Sequence, residues 1–539
     1  MKQKHLYRVF SLLLIFISLL EVGSAQNLVL QTNKKVYISG EELAYKCTLV
    51  QKGQELNKIL FVDICGEGYT VTSQVIKSQN SYWSGQIVLP DTLQTGVYLL
   101  RSYVGSDNGQ PTITSQPITV FNRFGNNAVN TQRKSMPGYS PLFDQNEEDT
   151  SSDSALGLTV NKNKFKPKDK ITFSLNNKLE QNIGGLSFSV YKTSGQLNTT
   201  SPQGNDYPVF TPSKHIQIYS RLILHGALTQ TKTQQVVPNE TILLSIPDSI
   251  PNINYAYTNE NGEFQFILDD FYGQQDLVVQ TINKQLDLTI RLDPILLLPP
   301  AKIPYYIPEE IENGDFAKLA IQRATLHKIY GETPVIKEKT IENKLPFYGL
   351  SEQRIYPKKY VPLNDFKEIA WEILPTIKYK SEKDSTYLRI WNPNSKAFYF
   401  NPWTLVDGVP VYNHAGINVL NSEKISWIEI QPQVRCFGDL FIEGLLSIQT
   451  KNGNFSDVPL PKNSVRKNMM TLFDVNSQVN FDQPFFRDVL YWNATIELNN
   501  KNTNIEVDCS YEKGSYIAIV QTPDPSGRIH RTVVKFEVE

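Results

Sequence analysis

The stretch LVLQTNKKVYISGEELAY, starting at Leu28, returns in outline as LTVNKNKFKPKDKITF, starting at Leu158. Each copy offers a strand, a lysine beside an aromatic, a turn, an acidic residue and a second strand, in that order. A recurring pattern of this kind predicts duplicated β units, each burying its own core. The alternation in LAYKCTLV and GVYLLRSYV fits half-buried antiparallel strands. A length of 539 residues agrees with several domains rather than one. Abundant Tyr and Phe, with recurrent Thr, Val and Ile, favour strands over helices.

Residues 1–25 read as a secretory signal. Lys2, Lys4 and Arg8 precede an apolar run from Val9 to Leu20, and Gly23-Ser24-Ala25 offers a small-residue cleavage site. No later stretch approaches the roughly 20 apolar residues of a spanning helix, so no transmembrane segment is expected after cleavage. A bacterial lipid anchor needs a cysteine at the cleavage point; the first cysteine is Cys47, so lipidation is not expected. The 53 Lys and Arg residues balance 54 Asp and Glu, with no long basic stripe, which argues against nucleic acid or an anionic membrane as partner. Of the four cysteines, Cys436 and Cys509 lie far apart, whereas Cys47 and Cys65 share one expected domain on neighbouring strands. Buried thiols are the expected state in a domain of this size, and Cys47–Cys65 is the pair for any disulfide.

Residues 26–122, with the opening K-x-V-Y-x-x-G-E and the close L-P…L-x-T-G-V-Y, resemble a macroglobulin-type β-sandwich. Residues 123–157, rich in Asn, Ser, Gly, Asp and Glu, read as a flexible linker. Within them Asp153-Ser154-Ala155 resembles the short O-glycosylation acceptor of Bacteroidota. Residues 158–217 form a second macroglobulin-like segment. In 218–300, Thr258-Asn259-Glu260-Asn261-Gly262-Glu263-Phe264 after a strand resembles a carboxypeptidase regulatory-like sandwich, with Asn261-Gly262 at a tight turn. Residues 301–362 read as a helical linker, its helix carried by the apolar spacing of Phe316, Leu319, Ile321, Ala324, Leu326 and Ile329 between Pro308 and Tyr330.

The segment 363–456 opens with a short helix capped at Asn364 or Asp365. It carries Val406-Asp407-Gly408-Val409-Pro410, then the strand ISWIEI, then Gly438 and the run from Gly444 to Gly453. This skeleton resembles the plug domain of TonB-dependent outer-membrane receptors. Only 86 residues follow Gly453, too few for a barrel, so transport by this chain alone is not expected. Residues 475–539 resemble closing macroglobulin-type strands. The order of modules is similar to a family of exported proteins from Bacteroidota. The expected fold class is mainly β: tandem macroglobulin/Ig-like sandwiches, a small α+β plug-like domain and a helical linker.

Motifs of chemistry are weak. Cys65-Gly66-Glu67-Gly68 resembles the thioester sequence of macroglobulins, but Gly68 stands where a glutamine must supply the acyl group, so a turn is expected. The six histidines, His5, His215, His225, His327, His414 and His530, are scattered without metal-binding spacing. Neither a GxSxG elbow nor a nucleotide loop occurs. No catalytic residue, cofactor or metal is expected. Asp407-Gly408 is better read as a hairpin turn than as a partner-facing loop, and Pro410 suits an edge strand. Trp83, Trp391, Trp403, Trp427 and Trp492 are expected in cores. The resemblance implies a non-catalytic scaffold or binding protein in the periplasm or at the outer-membrane surface, its plug-like domain docking outer-membrane proteins or envelope complex subunits. The alternatives are an accessory subunit of an assembly, secretion or TonB-dependent uptake complex, and an envelope hydrolase.

Overall fold

Alternating strands dominate the computed structural model, which describes residues 27–124, 153–193, 220–300, 345–472 and 488–539 apart from short stretches inside them, together with Gln322 and Thr325. The chain is mainly β and divides into two compact units. The first opens with β1 (Asn27–Thr32), β2 (Val36–Ile38), β3 (Glu42–Val50), β4 (Ile59–Cys65), β5 (Thr70–Lys77), β6 (Tyr82–Val88), β7 (Gly96–Val104) and β8 (Thr112–Phe121). They make a three-stranded sheet, β1-β3-β6, and a five-stranded sheet, β2-β8-β7-β4-β5, with β2 and β8 parallel. Leu43, Tyr45 and Trp83 from one sheet meet Leu60, Val62 and Leu100 from the other in a shared core. Next come β9 (Leu156–Val160), β10 (Lys164–Phe165), β11 (Lys170–Asn177) and β12 (Leu186–Lys192), which are half of another sandwich.

The second unit, Arg221–Leu297 with Ile336–Leu472, interrupts that sandwich. It contains β13 (Ile223–Gln230), β14 (Thr241–Ile246), β15 (Asn252–Tyr257), β16 (Glu263–Ile267), β17 (Gln274–Thr281) and β18 (Leu288–Leu292). These form the sheets β16-β13-β18 and β15-β14-β17 of a third sandwich. Then follow β19 (Arg354–Ile355), helix α1 (Phe366–Ile373), β20 (Ile377–Glu382), β21 (Ser385–Asn392), β22 (Ala397–Tyr399), β23 (Trp403–Val406), β24 (Val409–Pro410), β25 (Ile425–Phe437) and β26 (Leu440–Thr450). The chain returns through β27 (Ser464–Met470), which pairs with β17 and widens the third sandwich. Between these visits lies an α+β module with sheets β19-β25-β26-β23-β24 and β20-β21-β22. Asp365 caps α1 by accepting from the Glu368 N–H at 2.8 Å, while the Glu368 carboxylate accepts from the Asn364 N–H at 2.7 Å. Phe366, Ile369 and Ala370 turn the apolar side of α1 into the core with Tyr379 and Leu388. Of the helix expected over 308–330, only Gln322 and Thr325 lie among the described residues, and both are helical. Most of the 123–157 segment lies outside them.

β28 (Val489–Ile496), β29 (Asn502–Asp508), β30 (Gly514–Pro523) and β31 (Ile529–Val538) close the second sandwich. Segments 158–217 and 475–539, read separately above, thus supply strands to one domain. Its sheets, β9-β11-β29 and β10-β31-β30-β12-β28, reproduce the first sandwich strand for strand, including the parallel pair β10–β31. The second unit occupies the place of the β4–β5 turn, which the Gly66 N–H closes on the Tyr69 carbonyl at 2.9 Å. At the equivalent point the chain leaves after Lys192 and returns at Asp488, where the Lys192 N–H donates to the Asp488 carbonyl at 2.7 Å.

The repeat extends to individual hydrogen bonds. Asn33 accepts from the Ala44 N–H and Asn161 from the Thr172 N–H, both at 3.2 Å. Glu41 accepts from the Ile38 N–H at 2.9 Å and Asp169 from the Lys166 N–H at 3.0 Å, so the acidic residue of each copy closes its turn. Tyr98 and Tyr516 both donate to a carbonyl four residues upstream, Gln94 and Glu512, at 2.9 Å. Lys34, in the first copy, reaches Glu41 at 2.7 Å and Asp488 of the second sandwich at 2.5 Å. Burial opposes its charge, but the two carboxylates together hold its pKa above the ordinary lysine value.

Phe536 anchors the second core, with its ring 5.5 Å from Phe165, 5.8 Å from Phe173 and 5.6 Å from Tyr516. Phe536→Ala is expected to cost about 3–5 kcal/mol. Hydrogen exchange should then show 156–192 and 489–538 losing protection together, while β1–β8 keep theirs.

Candidate functional site

Asp407 and Gly408 join β23 to β24, and both have positive φ, 48° and 77°. That is the signature of a two-residue type I′ hairpin, for which Asp-Gly is suited. Asp407 is fully buried. Its carboxylate accepts from the Thr450 N–H and hydroxyl, both at 2.7 Å, and from the Phe455 N–H at 2.8 Å. β23 runs parallel to β26 with Val406 opposite Ile448, which brings the hairpin turn to the end of β26. The V-D-G motif and the T-K-x-G close are therefore two sides of one hydrogen-bonded knot. The Asp407 carbonyl accepts from the Asp248 N–H at 3.1 Å, and a Cβ on Gly408 would lie 3.1 Å from Pro251 Cα. The turn is covered by the third sandwich and faces no solvent.

Val406 and Val409 are buried in the module core, and Pro410 lies on β24, an edge strand where its missing N–H breaks no ladder. The Pro410 carbonyl accepts from the Gln280 side chain at 3.0 Å. Gly444, at φ 77°, stands opposite a bulge between Gln431 and Val434 that bends the long β25–β26 hairpin. Gly438, at φ 62°, opens the turn at the hairpin tip, where a Cβ would come within 2.0 Å of the Tyr255 hydroxyl. Tyr257 donates to the neighbouring Asp439 at 2.8 Å, and the Asp439 N–H donates to the Tyr255 hydroxyl at 3.3 Å. Hydrogen bonds from Tyr255 and Tyr257 hold the Asp439 carboxyl below the usual range. The signature residues thus fall in three places: Val406–Pro410 at the knot, Gly444 at the bulge, Gly438 at the tip.

Sequence reasoning passed over a second buried carboxylate. Glu429 accepts from Tyr348 at 2.9 Å and from Arg354 at 2.8 and 2.7 Å, and the Arg354 guanidinium lies 4.4 Å from the Trp427 ring. Burial pushes the Tyr348 hydroxyl up. The available signal was an acidic residue inside the apolar run ISWIEI. Trp83 and Trp403 are buried as expected, but Trp391, Trp427 and Trp492 are only half-buried.

Cys47 and Cys65 form no disulfide; all four cysteines are thiols. The neighbouring-strand placement is corrected by the topology: Cys47 lies on β3 in the three-stranded sheet, Cys65 on β4 in the five-stranded one. Burial pushes the Cys47 thiol up and draws the Lys46 ammonium down to about 7. Lys46 donates to the Gly185 carbonyl at 2.8 Å. His530 has Asp153 2.8 Å from Nδ1 and Asp524 3.1 Å from Nε2. With a carboxylate on each nitrogen, the ring is positioned as a clamp, holding Asp153 to the second sandwich. The Ser526 hydroxyl, followed by His530, draws the Asp524 carboxyl down to about 2. Among the described residues, no group of three or more His, Cys, Asp or Glu side chains is placed to hold a metal.

No family model matches the chain, and no curated protein sequence matches it. Solved structures similar to it include Salmonella alpha-2-macroglobulin reacted with methylamine, at 8% identity and TM-score 0.24, covering 95% of this chain and 39% of that one. Trypsin-activated alpha-2-macroglobulin from Escherichia coli matches at 10% identity and TM-score 0.25, covering 96% and 42%. A tetra-tandem repeat from the extending region of a large adhesion protein matches at 8% identity and TM-score 0.16, covering 96% and 100%. The chain spans about two fifths of the length of these two macroglobulins. The strand pairings define the fold independently of these likenesses.

Two substitutions separate conformation from hydrogen bonding. Asp407→Gly keeps a residue at ease with positive φ but strands three buried donors, at an expected cost of about 2–4 kcal/mol. Denaturant unfolding and exchange at 450–455 would report it. Gly438→Ala should release the hairpin tip from Tyr255 while leaving the knot intact, read as exchange gained at 436–441 but not at 404–411.

Proposed function

We propose that this chain is a non-catalytic scaffold of the bacterial envelope whose plug-like module docks an outer-membrane protein or an envelope complex subunit. The observation that carries this reading is the use of the V-D-G motif. Its carboxylate fastens the module internally, and its turn rests on the regulatory-like sandwich that flanks the module in sequence. β27 ties the chain to that same sandwich beyond the module. Such an arrangement supports a fixed platform carried on β-sandwiches, with recognition left to other surfaces of the module. Among the described residues no helix is long and apolar enough to cross a membrane, and the proposal needs none.

The test is crosslinking in intact cells followed by partner identification. Outer-membrane proteins should be recovered with the full chain, and a stable stoichiometric complex after gentle membrane extraction would mark it as an accessory subunit. Recovery of no envelope protein would overturn the docking reading.

A further inference from the structure

The sheet β20-β21-β22 gives one face to the core and leaves the other open. Ile377, Tyr379, Leu388 and Ile390 point inward and are buried. The alternate positions of β20 and β21 carry Lys378, Lys380, Tyr387, Arg389 and Trp391 on the opposite face. Phe398 on β22 lies opposite Trp391, and Phe400, 61% exposed, follows on the same side.

Cations and rings interleave across this face. The Arg389 guanidinium stacks 4.5 Å from the Tyr387 ring and 4.3 Å from that of Phe400. Lys378 lies 5.7 Å from the Phe398 ring, which meets Trp391 edge-on at 5.1 Å. Lys378 stands directly opposite Arg389 in the sheet register. Two like charges facing each other across strands cost stability. Among the described residues Lys378, Lys380 and Arg389 have no carboxylate within ion-pair distance. Elsewhere in this unit, by contrast, Arg354 and Arg466 sit on Glu429 and Asp276.

We propose that this face binds an acidic polysaccharide. Anionic substituents on the glycan pair with Lys378, Lys380 and Arg389 and relieve their repulsion, while the C–H faces of sugar rings lie on the aromatics. From Tyr387 to Trp391 the strand spans about 13 Å, room for a short run of sugars. Nucleic acid would call for a longer cationic track along its phosphates. A bilayer would call for several apolar side chains standing clear of the surface, whereas of the four rings here only Phe400 is exposed, and Tyr387, Trp391 and Phe398 are half-buried and held by neighbours. This site is independent of the docking reading.

The experiment titrates the full chain with heparin and polygalacturonate, and with dextran, a single-stranded oligonucleotide and phosphatidylglycerol vesicles as comparisons. Saturable binding to an acidic polysaccharide, weakening with salt and absent for dextran, is expected. Lys378→Glu with Lys380→Glu should lower that affinity at least about tenfold, and Trp391→Ala should lower it further. Thermal unfolding of each variant checks the fold; the two lysines are exposed, so the double lysine variant decides the matter if Trp391→Ala unfolds. No binding to either polysaccharide, unchanged affinity in the double variant, or binding confined to the oligonucleotide or the vesicles would overturn the proposal.

Discussion

A sandwich interrupted between its fourth and fifth strands can close only if the chain comes back to where it left. The Lys192 N–H on the Asp488 carbonyl marks that return, and the pairing of β12 with β28 is built from it. Everything between those residues is an insertion at a place where the first sandwich needs only the turn at Cys65–Tyr69. Backbone pairing within the second sandwich therefore tolerates a whole folded unit in one hairpin, because loop length adds to closure cost only logarithmically. Asp488 also carries the carboxylate that meets Lys34, so the closing residue links the first two sandwiches as well.

The inserted unit depends on buried carboxylates. Asp407 and Glu429 are costly to bury unless every oxygen finds donors, and each does so with groups distant in sequence. Asp407 gathers Thr450 and Phe455; Glu429 gathers Tyr348 and Arg354. These contacts specify one arrangement of strands, since a shift in register would leave a buried charge without partners.

Much of this was legible. The repeated opening foretold twin sandwiches, with an acidic residue, Glu41 or Asp169, beside the turn of each copy; the matching roles of Asn33 and Asn161 came only from the structure. The bend at Asp407-Gly408 was legible because few residue pairs accept two positive φ angles in succession. The cap of α1 was legible for a similar local reason. Other features were not. Neighbouring strands in sequence can belong to opposite sheets, which is why Cys47 and Cys65 looked closer than they are. Half-exposed Trp391 looked like core, because alternation shows that a strand has two faces without showing which one is covered.

The sequence by itself determined the β character of the chain, the duplication and the tight turns, since these rest on periodicity and local backbone preference. Only the tertiary structure decided that the last strands complete the second sandwich. It alone showed that Asp407 fastens a knot and that cations and rings share an open sheet face. Those outcomes depend on which strands pair across hundreds of residues, and pairing of that kind is settled by packing and hydrogen-bond satisfaction rather than by local propensity.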